Sequence, residues 1–142
     1  MNDIATKYLG ARFRLHGRDR TTGLDCLGLS LLVAREYGHE LPDVALDYER
    51  DVPDGTDFEA YLRQAESHLE PIHPSRAEPG DIVAFDTRRL GIANHFGVVV
   101  GGGFAITTFE NSGAVLVNLK PWRNRTKGIF RVVKPDPTNT DR

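Results

Sequence analysis

The sequence predicts an α+β fold in one domain, with helices in the first half of the chain and an antiparallel sheet in the second. Its 142 residues are 39% hydrophobic and 27% charged, which is typical of one soluble globular domain. Helical patterns come before Pro79-Gly80, and short β-branched or aromatic segments separated by turn residues come after it. Helices that precede strands in this way are typical of the α+β class. We therefore expect a single domain over residues 1–134.

The first two predicted helices lie at 3–9 and 24–38. Helix 3–9 is followed by Gly10 and helix 24–38 ends in Gly38, and glycine readily takes the left-handed conformation that closes a helix. The second helix has a long apolar run without proline, which is typical of a largely buried helix. Cys26 lies in its first turn.

A third helix is predicted at 57–69. Thr56 and Glu59 have the spacing of a capping box, in which two side chains bond the free N–H groups at a helix start. Apolar residues then recur along one face, namely Phe58, Tyr61, Leu62, Ala65 and Leu69. The segments 43–56 and 70–80 are rich in Pro, Asp and Gly, and we predict loops there.

Five strands are predicted in the second half of the chain, and they form one antiparallel sheet. They lie at 81–85, 95–100, 104–109, 114–119 and 129–133. The glycines at 101–103 permit a tight hairpin, and Asn111-Ser112-Gly113 permits the next one. The tail 135–142 has no apolar residue, so we predict that it is disordered.

Charge and residue counts exclude several functional classes. The formal charge of −2 leaves no basic excess for a phosphate backbone, so nucleic acid is not an expected partner. The only cysteine, Cys26, cannot form an internal disulfide. No two histidines have metal-ligand spacing, so we expect neither a metal nor a cofactor.

Membrane insertion and export are not expected either. No segment approaches the roughly 20 apolar residues that cross a bilayer, so we expect no membrane span. The N-terminal sequence lacks the cationic head and apolar run of a signal peptide. We therefore expect synthesis in the cytoplasm without a signal peptide.

Cys26 and His95 are the candidate chemical pair. In GLDCLGL the cysteine opens an apolar helix, and the helix N-terminus stabilises a thiolate, which lowers the expected pKa of the thiol. His95 opens a predicted strand, and cysteine hydrolases need an imidazole beside the thiol. The alternatives are a buried structural cysteine and an ordinary surface histidine.

The order of these segments resembles the NlpC family of cell-wall cysteine peptidases. FRLHGRDRTTGLDCLGL is followed by EPGDIVAF and then by NHFGVVVGGG. The resemblance extends from about Tyr8 to Val133. The RLHGRD variant is most similar to the branch found in tail modules of phages and of phage-derived gene transfer agents.

The resemblance implies a papain-like fold, in which the cysteine helix packs on the antiparallel sheet. Family members cut the peptide stems of peptidoglycan, commonly between γ-D-glutamate and the diamino acid. By position, Cys26 is the nucleophile, and its backbone N–H is a candidate oxyanion donor. His95 is the base that later protonates the leaving group. Asp25 is expected to brace the turn or cap the helix.

The third catalytic position departs from the family pattern. Many members have a polar residue, often His, about a dozen positions after the catalytic His, and here that stretch reads AITTFEN. Thr107 is nearest by count, whereas a shift of one residue would select Ile106 or Thr108, and Asn111 is a further alternative. Strand alternation directs Ile106 to the core, which favours Thr107 as the residue that orients the imidazole.

Two further departures concern substrate recognition. Phe13 stands where many members have tyrosine, and Leu27 stands where the common motif has serine. Trp122 is interpreted as a hydrophobic lid over the sheet edge, with a substrate groove as the alternative. Gly17, Gly23 and Gly28 are expected to serve turns and close packing. The arginines that we interpret as solvated loop charges are Arg12, Arg14, Arg18, Arg20, Arg88 and Arg89.

The leading hypothesis is a papain-like cysteine peptidase that hydrolyses peptidoglycan stems as part of a phage-type tail. Its expected partners are the peptidoglycan peptide and phage-tail proteins. One alternative is a structural tail component that keeps the fold without turnover. Another is a thiol acyltransferase or amidase that acts on a different substrate.

Overall fold

The structure, a computed structural model, contains two complete helices and eight strands within the residues that it describes. It describes residues 3–43, 61–63, 65–87, 89, 91 and 93–133. The helices are α1 (Asp3–Tyr8) and α2 (Cys26–Glu36). The strands are β1 (Arg18–Asp19), β2 (Gly23–Leu24), β3 (Leu69–Ile72), β4 (Ile82–Phe85), β5 (His95–Gly101), β6 (Phe104–Phe109), β7 (Gly113–Asn118) and β8 (Thr126–Val132). Short 3₁₀ turns lie at Glu66–His68, Pro74–Arg76 and Arg123–Arg125.

Six of the strands form one antiparallel sheet in the order β3-β8-β4-β5-β6-β7. The strands β1 and β2 form a separate small hairpin just before α2. α2 packs across β5 and β6 near the centre of the large sheet. The predicted α+β class and the packing of the cysteine helix on an antiparallel sheet are therefore confirmed.

Strand alternation divides the sheet into two buried faces. The face under α2 includes Phe96, Val98 and Ile106, and it forms the main core with the helix. The opposite face carries a smaller apolar cluster around Val83 and Phe85, against which Trp122 packs. The site described below lies where these two faces meet at the start of β5.

The Pro-Gly-Asp segment before β4 has a structural role. Asp81 is buried, and its carboxylate accepts both Nε and Nη2 of Arg131 at 3.1 Å. The same carboxylate accepts the backbone N–H of Glu78 at 2.7 Å, which closes the turn. A paired Arg and carboxylate therefore fix the entry of β4 against β8.

Most predicted elements are present, but the prediction for 57–69 is wrong at its C-terminal end. Residues 61–63 are helical, a 3₁₀ turn follows, and Leu69 begins β3. The predicted loop 70–80 likewise contains most of β3, so the sheet has six strands instead of about five. β3 is an edge strand that pairs only with β8, and an edge position tolerates Pro71, which lacks a backbone donor.

Some predictions fall outside the described residues. These are the Thr56 and Glu59 capping box, nearly all of the loop 43–56, Arg88 and the tail 135–142. Within the described residues, no helix has the length and apolar character needed to span a membrane. In the same ranges, no group of three His, Cys, Asp or Glu side chains is arranged to hold a metal ion.

Candidate active site

The start of α2 is fixed by Asp25. Its side chain caps the helix by accepting the backbone N–H of Gly28 at 2.8 Å. It also accepts the backbone N–H of His16 at 2.8 Å and an Nη1 hydrogen bond from Arg18 at 3.0 Å. Asp25 is only 3% exposed, so its charge is compensated inside the protein. The predicted cap is confirmed, whereas the interpretation of Arg18 as a solvated charge is wrong, because this side chain pairs with the buried carboxylate.

Close backbone contact holds the preceding loop against α2. A Cβ atom at Gly28 would overlap the carbonyl oxygen of Gly17, and one at Gly17 would overlap the backbone of Gly23. The expected role of these glycines in close packing is confirmed. Because only hydrogen atoms fit between the two segments, the loop and the first turn of α2 form one unit.

Cys26 is the first residue of α2 and is 4% exposed. The backbone N–H groups of Phe96 and Leu27 donate to its sulfur and lower the pKa of the thiol, but burial and the Asp25 carboxylate outweigh them. The net effect raises the pKa of Cys26 to about 12. The expectation of a lowered pKa is therefore wrong, because desolvation of the thiolate exceeds the stabilisation that a helix N-terminus provides.

His95 is the first residue of β5, and its ring contacts Thr107 on β6. The Nε2 atom lies 2.8 Å from Oγ1 of Thr107, and that hydroxyl lies 2.6 Å from the carbonyl oxygen of Phe96. The single hydroxyl proton is donated to the carbonyl, so Oγ1 accepts from Nε2–H of the imidazole. This hydrogen-bond chain assigns the proton to Nε2 and leaves a lone pair on Nδ1.

The backbone of Phe96 brings the three predicted residues to one place. Its N–H donates to Cys26, its carbonyl accepts from Thr107, and His95 directly precedes it. The register between β5 and β6 ends at Val98, so Phe96 lies beyond the last paired position of that ladder. The site therefore occupies the point where these two strands separate beside the start of α2.

Desolvation favours the neutral form of both candidate reactive groups. Burial lowers the pKa of His95 to about 4, although the backbone of Thr108 and the charge of Asp25 act in the opposite direction. The raised pKa of Cys26 likewise keeps its proton on sulfur. These pKa values favour a neutral thiol and a neutral imidazole near pH 7.

Aromatic rings enclose the imidazole on the face of the sheet away from α2. Phe109 stacks on His95 with ring centroids 4.8 Å apart and planes 5° apart, and Phe85 lies 6.4 Å away. Trp122 packs on Phe85 and Phe109 at 5.3 and 6.2 Å, which agrees with a hydrophobic cover over the sheet. The sequence motifs did not indicate Phe109 as part of the site. Strand alternation could have indicated Phe109, because it lies two residues after Thr107 on the same strand and so shares its face.

The alternatives for the third position lie elsewhere. Ile106 is buried on the α2 face, and Thr108 shares that face, where its Oγ1 has no hydrogen-bond partner among the described residues. Asn111 is exposed in the turn between β6 and β7. Of the four candidates, the described structure gives a side-chain hydrogen bond to the imidazole only for Thr107, and its catalytic role stays a prediction.

The two other departures from the family pattern have different surroundings. Leu27 is 1% exposed and belongs to the main core. Its side chain therefore packs inside the protein, in the main core, and not on the surface. Phe13 is half-buried and forms an isolated backbone bridge with Leu24. The expectation that Leu27 affects substrate recognition is therefore not supported by its position.

The fold is similar to that of several characterised proteins. Over 132 residues the chain is 26% identical to the murein DD-endopeptidase MepH of Escherichia coli strain K12, covering 91% of this chain and 44% of that protein. A solved NLP/P60 family protein of Staphylococcus aureus matches 93% of this chain and 40% of its own, with a TM-score of 0.62 and 24% identity. The NlpC/p60 domain of the peptidoglycan hydrolase SagA matches with a TM-score of 0.59 and 19% identity, covering 93% of this chain and 94% of that domain.

These matches identify the architecture as the papain-like NlpC/P60 fold. The chain spans less than half of the length of MepH and of the staphylococcal protein. A family model described as "Domain of unknown function (DUF6950)" matches residues 54–132, which is more than half of the chain. The protein therefore belongs to the DUF6950 family.

Proposed function

We propose that the protein is a cysteine peptidase that hydrolyses the peptide stems of peptidoglycan, with Cys26 as nucleophile and His95 as base. The observation that supports this most is the arrangement of Cys26, His95 and Thr107 around the backbone of Phe96. The relatives supply the substrate class, since MepH is a murein endopeptidase and SagA a peptidoglycan hydrolase.

The reaction begins with transfer of the thiol proton to Nδ1 of His95 as the sulfur attacks the scissile carbonyl carbon. The backbone N–H of Cys26, at the start of α2, is the proposed donor to the developing oxyanion. The imidazolium then gives its proton to the leaving amine, and an acyl-enzyme remains on sulfur. Water, activated by the neutral imidazole, hydrolyses this thioester and restores the thiol.

Thr107 orients the imidazole throughout these steps. Its oxygen accepts Nε2–H, which keeps the lone pair of Nδ1 available for the thiol proton. A neutral hydroxyl stabilises an imidazolium less than a carboxylate does. We therefore expect slower turnover than in a site whose third residue carries a negative charge.

The decisive experiment is mass spectrometry of muropeptides after incubation of purified peptidoglycan with the protein and with Cys26→Ala. We expect new peptide fragments from the wild type and none from the variant. Arg123→Gln, on an exposed 3₁₀ turn, is the matched control and should cleave like the wild type. A folded wild type that releases no fragment would instead favour the structural, non-catalytic alternative.

The same spectra identify the scissile bond. Cleavage between γ-D-glutamate and the diamino acid agrees with the resemblance of the sequence motifs to the NlpC family. Cleavage between two D-configured amino-acid centres agrees with the name of MepH, a DD-endopeptidase. The fragment masses differ for the two bonds, so each outcome excludes the other as the main activity.

As a finer proposal, the enzyme acts within a phage-type tail. The similarity of the RLHGRD segment to that branch supports this placement. Particle assembly would then deliver the enzyme to the cell wall. Immunodetection of the protein in purified tail particles tests this, and its absence from particles that contain the other tail proteins would contradict it.

A further inference from the structure

A cleft of about 470 Å³ lies at the same end of the sheet as His95. It is formed by the segment after β4 and by the segment before β8. Its polar lining includes Asp86, Arg89, Asn124, Arg125 and Lys127. We refer to it as the cationic cleft, because three of these five side chains carry positive charge.

Positive charge outnumbers negative charge among the described residues that line the cationic cleft. None of its three cations has an ion-pair partner among the residues that the structure describes. Its acid, Asp86, is 5% exposed, and its carboxylate accepts the N–H of Gly91 at 2.6 Å and Nδ2 of Asn94 at 3.0 Å. The carboxylate of Asp86 is therefore hydrogen-bonded to the loop before His95. The cleft has an excess of positive charge, although the net charge of the chain is −2.

The register of the sheet places the cleft near the catalytic pair. Phe85 on β4 pairs with His95 on one side and with Thr126 on the other. Arg125 and Lys127 flank Thr126, so their backbone lies two strands, or about 10 Å, from that of His95. An extended peptide covers this distance with about three residues.

The backbone of Arg125 is fixed by two hydrogen bonds, and its guanidinium lies against an aromatic ring. Its backbone N–H donates to the carbonyl of Trp122 at 2.8 Å within the 3₁₀ turn, and its carbonyl accepts the N–H of Asp86 at 2.7 Å. Its guanidinium lies over the Trp122 ring, 5.8 Å from the centroid. A positioned guanidinium loses little freedom when it binds a carboxylate in bidentate fashion.

We infer that the cationic cleft binds a carboxylate of the substrate peptide two or three residues from the scissile bond, with Arg125 and Lys127 as its main ligands. This inference rests on the proposed function. The planar fork of Arg125 matches a carboxylate, Lys127 adds a point charge, and Asn124 supplies an amide donor at the same wall. Selection for acidic stem peptides over their amidated forms follows from this arrangement.

The test compares two synthetic stem peptides, L-Ala-γ-D-Glu-diaminopimelyl-D-Ala with free carboxyl groups and the same peptide with only its terminal D-Ala carboxyl group, which lies two residues from the bond after γ-D-glutamate, as carboxamide. Calorimetry on Cys26→Ala, which cannot turn over the peptide, measures both dissociation constants. We expect the acid to bind about fivefold to tenfold more tightly at low salt, with the difference shrinking as ionic strength rises. The fluorescence emission of Trp122, the only tryptophan in the chain, should change when the acid peptide binds, because Arg125 lies over its ring.

Charge variants locate the binding site. In the Cys26→Ala background, Arg125→Gln combined with Lys127→Gln should bind the two peptides equally. Arg123→Gln is the matched control, because Arg123 lies on the same 3₁₀ turn but lines an apolar groove on the other side of it. It should keep the preference for the acid. Equal binding of the two peptides by Cys26→Ala alone, no binding of either, or a preference that survives the double variant would each overturn the inference.

Parallel digestion of the same peptides by the protein with Cys26 intact separates this inference from the proposed function. Cleavage of both peptides with equal kcat/KM leaves the peptidase intact and refutes the carboxylate site. Preferential binding of the acid without cleavage of either peptide supports the cleft and counts against peptidase activity.

Discussion

At the scale of single residues, Cys26 shows how burial can outweigh a helix N-terminus. The sequence predicted the position of this residue in the first turn of α2, because a cysteine before an apolar helix is a local pattern. The sequence did not predict its pKa, which depends on the strand that covers it and on the neighbouring Asp25 charge. The burial comes from tertiary structure, which no local pattern reports, whereas Asp25 directly precedes Cys26 in the sequence.

The raised pKa of Cys26 predicts slow alkylation in the absence of substrate. A free cysteine has a pKa near 8.5, so its alkylation rate levels off above about pH 9. With a pKa of about 12, the rate at Cys26 should still rise at pH 10. The measurement is the rate of iodoacetamide modification against pH, with free cysteine as the reference. A plateau below pH 8 would show that a thiolate exists in the protein without substrate.

Thr107 and Thr108 are adjacent threonines with opposite expected effects. Thr107→Val removes the acceptor of Nε2–H, and loss of a neutral hydrogen bond of about 1 kcal/mol should lower kcat about fivefold to tenfold. Thr108→Val removes a buried hydroxyl without a partner, so turnover should persist and the free energy of unfolding should rise by about 1 kcal/mol.

Turnover on muropeptides and urea unfolding of both variants check these outcomes. Thr107→Ser is the control for the hydroxyl and should retain most activity. The orienting role of Thr107 is refuted if Thr107→Val turns over at the wild-type rate while Thr108→Val is slow.

At the scale of secondary-structure elements, those with strong local sequence patterns were predicted, whereas the pairing of the edge strand β3 was not. α2 and the strands β4 to β8 follow from apolar periodicity and turn glycines, and their observed bounds differ little from those predicted. β3 was missed because LEPI contains a glutamate and a proline and has little strand propensity. It is a strand because its backbone pairs with β8, a partner more than fifty residues away in sequence.

The contact between α2 and the loop before it depends on the absence of a side chain at Gly28. Gly28→Ala would place a methyl group against the Gly17 carbonyl, so we expect a loss of about 2–3 kcal/mol in the free energy of unfolding. Gly38→Ala is the control, since Gly38 has a φ of +86° but open space around it. Backbone strain alone should cost about 1 kcal/mol there.

Urea unfolding of the two glycine variants measures these costs. The loop also holds Asp25 through His16 and Arg18, so Gly28→Ala should lower turnover as well. A greater loss of stability in Gly38→Ala than in Gly28→Ala would contradict the close contact between the loop and α2.

At the scale of the whole molecule, the half-buried imidazole of His95 links stability to pH. Folding lowers the pKa of His95 from 6.5 to about 4 because the ring is desolvated. Between these pH values the unfolded chain binds a proton that the folded protein does not, so the unfolded state gains stability as pH falls. The contribution of His95 is therefore fully present above pH 6.5 and is lost as pH falls towards 4, by about 2–3 kcal/mol in total.

This linkage can be isolated by comparing the wild type with His95→Gln. The variant cannot titrate at this position, so the free energy of unfolding should fall less steeply between pH 6.5 and 4.5 than in the wild type. Carboxylates whose pKa is lowered in the folded protein, such as Glu36, also destabilise the fold in acid, but they do so equally in both proteins. The difference between the two pH profiles, measured by urea unfolding at each pH, is thus the contribution of His95. Parallel profiles would mean that the ring is as well solvated in the folded protein as in the unfolded chain. The neutral resting pair, which depends on that desolvation, would then have to be abandoned as well.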